Sequence, residues 1–302
     1  MQEILTRAGC FVVIILLGYF LRRIGWFKEE DFPVISTIVL KITLPAAITV
    51  SFNGSKIDLS MLTIILLGFA GGLVYMAIGF LMNLRRGRAQ KAFDVLNLPG
   101  YNIGNFTLPF VQSFLGGPGV VITSLFDTGN AIVCLGGAYG VASLVKDGSG
   151  FSVKRVVKTL LKSVPFDTYL IMLALCLMGL SLPGPIASLA QTIANAAPFM
   201  AMFMIGVGFK LEADRAHIGY IVKYMLIRYS IAAVLALVLY YCTGFSLEIR
   251  QTLAILVFAP FCTSAPAFTA ELGEDVGLSS AINSISIIIS ITIIISMLSV
   301  ML

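Results

Sequence analysis

Residues 98–109 read Leu98-Pro99-Gly100-Tyr101-Asn102-Ile103-Gly104-Asn105-Phe106-Thr107-Leu108-Pro109, and residues 259–266 read Ala259-Pro260-Phe261-Cys262-Thr263-Ser264-Ala265-Pro266. Each stretch sits inside a long apolar segment and carries two prolines. Proline removes a backbone donor and clashes with the preceding turn. Glycine costs about 1 kcal/mol in a helix interior. Both segments are therefore expected to be helices whose backbone opens near mid-membrane. Open backbone is tolerated at that depth only where it lines a protein cavity. Interrupted spans at corresponding places in two halves of a chain point to a transport site. Asn102, Asn105, Thr107, Thr263 and Ser264 add neutral hydrogen-bonding groups, while Gly104, Pro109 and Pro266 shape the backbone between them. Half-helix N-termini there supply positive potential for an anion. The blander reading is a pair of proline-kinked helices in a packed bundle; two polar interruptions in register weigh against it.

The rest of the chain supports a membrane setting. Its 302 residues are 58% hydrophobic and 12% charged, against about 25% charged in soluble domains. The solvent for so much apolar surface is lipid. The net charge of +5 reads as a topology signal and not as a nucleic-acid surface, because the cations fall between apolar runs. A span needs about 20 apolar residues. Ten segments qualify: 4–22, 33–52, 60–82, 92–115, 119–145, 166–182, 188–209, 219–242, 250–270 and 277–302. The first apolar run ends in Arg22-Arg23 and reads as a retained span, not as a cleaved leader.

Connectors after odd-numbered spans hold Arg22, Arg23, Lys28, Arg85, Arg86, Arg88, Lys91, Lys146, Lys154, Arg155, Lys158, Lys162, Lys210, Arg215 and Lys223; the other side has Arg7, Lys56 and Arg250. The odd connectors are thus expected in the cytoplasm, with both termini extracytoplasmic. In connector 146–164, Lys154, Arg155, Lys158 and Lys162 alternate with Val and Leu, the pattern of a short helix lying on an anionic leaflet.

The chain also repeats itself. Pro109 and Pro266 are 157 positions apart, and so are Leu115 and Leu272; Pro45 and Pro198 are 153 apart. Five spans per half is an odd number, so the halves, 1–145 and 165–302, are expected to be inverted with respect to each other.

Three ionisable residues fall deep inside spans. Asp127 lies deep in span 5 near Asn130 and is read as a site for a coupling cation or proton, or as a gating or structural ion pair. Lys41 either attracts a carboxylate or snorkels across about 12 Å to the cytoplasm. Arg228 in span 8 is expected to pair with Asp127 or with connector carboxylates. Glu271 reads as a solvated helix end, with a cation site as the alternative. Asn283, Ser284 and Ser286 occupy the place in span 10 that Asp127 holds in span 5. The five cysteines, Cys10, Cys134, Cys176, Cys242 and Cys262, form no CxxC pair and read as small packing residues. With His217 as the single histidine, neither a metal site nor another cofactor is expected.

Asn102-x-Gly104-Asn105-x-x-Leu108-Pro109, followed by Phe126-Asp127-x-Gly129-Asn130, resembles the Gly-Asn and Leu-Pro signature of the auxin efflux carrier family. Leu17-Gly18-Tyr19-x-x-Arg22-Arg23, Leu44-Pro45-Ala46 and Ala265-Pro266-Ala267 fit the same pattern, so the resemblance runs along the whole chain. It implies an all-α integral membrane fold of ten transmembrane helices in two inverted five-helix repeats, the architecture of bile-acid/sodium symporters, with interrupted helices 4 and 9 crossing at mid-membrane. It implies a scaffold of spans 1, 2, 6 and 7 and a transport domain of spans 3–5 and 8–10. It implies small organic anions as substrates, carboxylates such as malate and malonate or auxin-like acids, moved by alternating access. Sodium or a proton stays open as coupling ion, and a homodimer as assembly, in a cell membrane. The long central loop of the plant members is missing here.

Other classes fit less well. Membrane aspartyl proteases need two deep carboxylates, and metalloproteases need HExxH. A channel draws its pore from oligomers or ringed filters. A sodium- or proton-coupled exchanger of the related fold remains the rival within the carrier class, although such antiporters tend to place carboxylates where this chain has Asn, Thr and Ser.

Overall fold

The computed structural model describes residues 2–82, 87–149, 151–209 and 217–301. Arg85, Arg86, Lys210 and Arg215 lie outside them. The described residues form helices and connecting turns without a strand. In order they are α1 (Gln2–Arg23), α2 (Phe32–Ile38), α3 (Leu44–Phe52), α4 (Thr63–Met82), α5 (Arg88–Asn97), α6 (Leu108–Ile132), α7 (Ala138–Asp147), α8 (Val153–Leu160), α9 (Val164–Leu177), α10 (Gly184–Ala194), α11 (Ala197–Gly208), α12 (Ile218–Tyr241), α13 (Leu247–Leu256), α14 (Ala265–Leu272) and α15 (Val276–Met301). Widened π turns at Val39–Thr43, Ile103–Thr107 and Val133–Gly137 join α2 to α3, lead into α6, and join α6 to α7.

Six helical stretches among the described residues are long and apolar enough to cross a membrane: Glu29–Phe52, Leu59–Met82, Ile103–Asp147, Gly184–Gly208, Ile218–Tyr241 and Val276–Met301. A seventh arises if α8 and α9, bent by 80°, count as one. The sequence reading counts ten, and the difference has a physical source. Ile103–Asp147 is 45 residues of helix, about 68 Å at 1.5 Å per residue, roughly twice a bilayer core. It breaks at Gly116 (φ 64°, ψ −158°), just before Pro118. Because α5 packs against α7, the chain leaving α5 turns back at this break and returns beside its starting point. The helix of α13 and α14 is likewise split into pieces of 10 and 8 residues, each too short to cross alone.

The matched prolines take matched places. Pro109 and Pro266 are the second residues of α6 and α14; Pro45 and Pro198 are the second residues of α3 and α11. At Pro266, which opens α14, proline's missing N–H is one that the helix start leaves unpaired; Pro45 and Pro109 instead follow just after the π turns.

Two groups of helices pack most closely. α1 lies on α11, with α3 against α9 and α10; α4 lies on α5 and α6, and α12 and α15 lie on α13. Glycine permits the tightest approaches. A Cβ at Gly129 would come 1.9 Å from the Ile65 carbonyl oxygen, and one at Gly68 would come 2.0 Å from that of Phe126. At Gly206 it would meet the Ile15 oxygen at 2.1 Å.

The connector helix α8 has two apolar sides. Val156 and Leu160 are buried against Ala131 and Phe166, so this side rests on protein and not on lipid. Val153, Val157 and Leu161 stay exposed beside Lys154, Lys158 and Lys162. That second face keeps the interfacial pattern expected from the sequence.

Candidate functional site

A cavity of about 580 Å³ lies where the two interrupted segments meet. Its walls bring together nine of the twelve site residues picked from the sequence: Asn102, Gly104, Asn105, Thr263, Ser264, Pro266, Asp127, Asn130 and Lys41. Thr107, Pro109 and Arg228 stand behind them. Thr107 is buried and donates through Oγ1 to the Asn102 carbonyl at 3.2 Å. Pro109 is buried at the start of α6.

The two breaks touch directly. The Asn102 amide donates to the Pro260 carbonyl at 2.9 Å. Asn105 Nδ2 donates to Thr263 Oγ1 at 2.9 Å. Ser264 Oγ donates to the Cys134 carbonyl at 2.9 Å. Gly100 takes φ +86°, and a Cβ there would meet Cys134 Sγ at 2.7 Å and Cys262 Cβ at 3.0 Å. Glycine is thus needed twice over, for its left-handed backbone and for the contact. Cys134 and Cys262, read from the sequence as packing residues, line the cavity from the two halves of the chain.

Open backbone must find partners, and the neighbouring helices supply them in parallel ways. From α6, Asn130 Oδ1 accepts from the Tyr101 amide at 3.0 Å, and Nδ2 donates to the Tyr101 carbonyl at 2.8 Å. From α15, Ser286 Oγ accepts from the Phe261 amide at 3.2 Å, Asn283 Nδ2 donates to the Cys262 carbonyl at 3.3 Å, and Ser290 Oγ donates to the Phe258 carbonyl at 2.7 Å. Asp127 and Asn130 are three residues apart, as are Asn283 and Ser286. The same helical face thus serves the break in each half.

Asp127 is held by Asn130 Nδ2 at 2.8 Å and by Tyr169 Oη, from α9, at 3.0 Å. Arg228 does not pair with it, contrary to the sequence expectation. Its guanidinium donates to the carbonyls of Leu98, Gly100 and Ala259, because the broken segments offer bare carbonyls closer than any carboxylate. Lys41 is exposed on the cavity wall in the π turn before Pro45. Asn105 Oδ1 and Asn283 Oδ1 are buried without a hydrogen-bond donor.

Asp127 is also not the only carboxylate at depth. Asp94 on α5 is fully buried and accepts from Tyr224 Oη at 2.9 Å, from Tyr220 Oη, and from Gln90 Nε2 at 3.4 Å. The sequence reading missed it because Asp94 lies near the beginning of span 4, where a carboxylate looks solvated. The spacing of Tyr220 and Tyr224, one helical turn apart, was the available signal.

At the end of α14, Glu271 pairs with Arg155, Glu274 with Lys146 at 2.6 Å, and Asp275 with His217 at 3.5 Å. Arg155 also lies 4.4 Å over the Tyr139 ring. Glu271 is therefore ion-paired, about half exposed. Among the described residues no group of His, Cys, Asp and Glu is arranged to hold a metal.

Residues 10–143 match the model of a family described as membrane transport protein, in keeping with the resemblance of the motifs there to the auxin efflux carrier family. It is also similar to an uncharacterized transporter of Methanothermobacter thermautotrophicus, at 24% identity over 202 residues. That alignment covers 65% of this chain and 65% of the relative, so the chain spans about two thirds of the relative's length. Six helices long and apolar enough to cross a membrane, together with the match to a membrane transport family, make it a multi-pass membrane protein.

Proposed function

We propose that this chain, whose motifs resemble those of the auxin efflux carrier family, is a secondary carrier that moves a small organic anion by alternating access. The observation that carries the reading is the cavity at the meeting of the two broken segments, with Asn102 bonded to Pro260 across it. Ten spans in two inverted repeats account for the paired prolines and for the matched roles of Asn130 and Ser286. The segments α14 and 103–115 begin at the cavity, so their N-termini direct positive potential into it. Neutral amides and hydroxyls of Asn102, Asn105, Thr263 and Ser264 would hold a carboxylate without the slow release of a full ion pair, and Lys41 adds long-range attraction.

The packing supports a scaffold of α1–α3 and α9–α11 beside a transport domain of α4–α7 and α12–α15. The cavity reaches Lys162, Ser163 and Pro165 where α8 gives way to α9, and Gly208 and Phe209 at the end of α11. Those are ends where cations gather, so by the positive-inside rule this state faces the cytoplasm. At the other end Arg7 donates to the Ser113 carbonyl, and Phe11 packs edge-on against Phe110 and Phe114. In this reading both termini are extracytoplasmic, the protein sits in the cell membrane, and Asp127 is the site for a proton.

The test is uptake of radiolabelled malate, malonate and indole-3-acetate into proteoliposomes under imposed proton, sodium or potassium-diffusion gradients, beside Asn105→Ala. Saturable uptake of one anion, lost in Asn105→Ala, is the expected result. No flux of any of the three by folded, inserted protein would count against the reading.

A further inference from the structure

Arg228 is 1% exposed, on a helix that crosses the bilayer. Its Nη1 donates to the Leu98 carbonyl at 3.0 Å; its Nη2 donates to the Gly100 carbonyl at 2.9 Å and to the Ala259 carbonyl at 3.3 Å. The rings of Tyr75, Tyr101 and Phe261 lie 4.1, 4.5 and 5.0 Å from its central carbon. Tyr75 Oη also bonds the Arg228 carbonyl at 3.0 Å, which holds α12 against the site. Its Nε is buried without an acceptor.

A buried ion is costly unless its charge is answered, and the answer here comes from backbone. Leu98 is the residue that caps the C-terminus of α5. Ala259 follows the end of α13 by three residues. Each helix C-terminus carries roughly −0.5 of an elementary charge, so two of them converging balance one guanidinium. The aromatic faces add cation–π attraction in a dry site. Bare carbonyls at half-helix C-termini are also where carriers with broken helices coordinate a coupling cation.

We infer that Arg228 is a resident cation: its guanidinium fills the carbonyl cluster that a mobile sodium ion would otherwise occupy, and the carrier therefore runs without sodium. The inference rests on the carrier reading, which it deepens. Because the cation is tethered to α12, it cannot leave with the substrate, and this cluster can take no energy from a sodium gradient. The substrate-facing N-termini stay free for the anion, while the C-termini are permanently neutralised. Lysine cannot replace it, since an ammonium is a compact point charge without the planar fork that reaches three carbonyls.

The experiment begins with thermal unfolding of the purified full-length protein in sodium, potassium and N-methylglucamine chloride at one ionic strength. Equal midpoints are expected for the wild type; a rise specific to sodium would overturn the inference. Arg228→Ala should unfold at a lower temperature and regain stability with millimolar guanidinium, but not with potassium. A folded Arg228→Ala that gains nothing from guanidinium would show a packing role only and would also overturn it. If that variant does not fold, the wild-type cation series decides. For whichever anion the wild type transports, uptake should stay within about twofold when choline replaces sodium, and a fall of about tenfold would refute the inference. Absence of any flux would strike the carrier reading alone, leaving the unfolding series to judge the cation.

Discussion

Asn130 closes the hydrogen-bonding groups of Tyr101 from both sides, its Oδ1 3.0 Å from the amide and its Nδ2 2.8 Å from the carbonyl. One side chain thereby does the work of the helical turn that Pro99 and Gly100 remove. The Tyr101 carbonyl also accepts from the Ile103 amide, so Asn130 matters most to the Tyr101 amide. Asn130→Ala leaves that donor buried and unpaired, at a cost of about 1–3 kcal/mol. Thermal unfolding should show the loss, and uptake should fall with it; an unchanged midpoint would mean the break holds itself open.

Glycine at the α4–α6 crossing makes a second prediction. With Gly129 and Gly68 each seated on a carbonyl of the facing helix, Gly129→Ala forces the helices apart and should cost about 1–3 kcal/mol. Gly9, whose Cβ would meet nothing within 4 Å, is the control, and alanine there should leave the midpoint within about 0.5 kcal/mol of wild type. Denaturation of the two purified variants side by side checks the contrast.

Asp127 is reached by Tyr169 from a different group of helices. If the carboxylate takes up a proton during transport, Asp127→Asn flattens the dependence of uptake on pH. Tyr169→Phe, which removes one of the two hydrogen bonds to the carboxylate, should displace the pH profile while leaving the protein folded. Profiles that coincide with wild type in both variants would restrict Asp127 to a structural part.

The Arg155–Glu271 pair is about half exposed on both sides. Such pairs contribute about 0.2–1 kcal/mol. A double-mutant cycle with Arg155→Ala and Glu271→Ala should return a coupling in that range, smaller in high salt. Because α8 leads directly into α9, the pair should affect transport rate more than stability; equal uptake by wild type and Arg155→Ala would refute this.

Much of this architecture is written in hydropathy. The expected spans 33–52, 219–242 and 277–302 fall within two residues of the observed helix limits, because lipid imposes one length and one polarity on each crossing. The breaks were legible for a similar reason, since proline and glycine act on their own backbone. What could not be read were partners remote in sequence. Arg228 binds carbonyls, and carbonyls leave no mark in a list of side chains. Asp94 looked solvated until Tyr220 and Tyr224 came beside it from α12. Tyr169 is one aromatic in an apolar helix, with nothing local to set it apart. The two apolar sides of α8 were visible as alternation, but not which of them meets protein.

The glycine notches also govern mechanics. Where Gly68, Gly129 and Gly206 sit on carbonyl oxygens of the neighbouring helix, the backbones are keyed together like teeth, and axial slip would drive one helix into another's main chain. The contact of α6 with α9 has no such key among the described glycines; a Cβ at Gly104 would meet side chains only, Leu44 Cδ2 at 3.4 Å, Asp127 Oδ2 at 3.7 Å and the Tyr169 hydroxyl at 4.0 Å. Shear is thus stiff where these notches lie, at the α4–α6 and α1–α11 crossings.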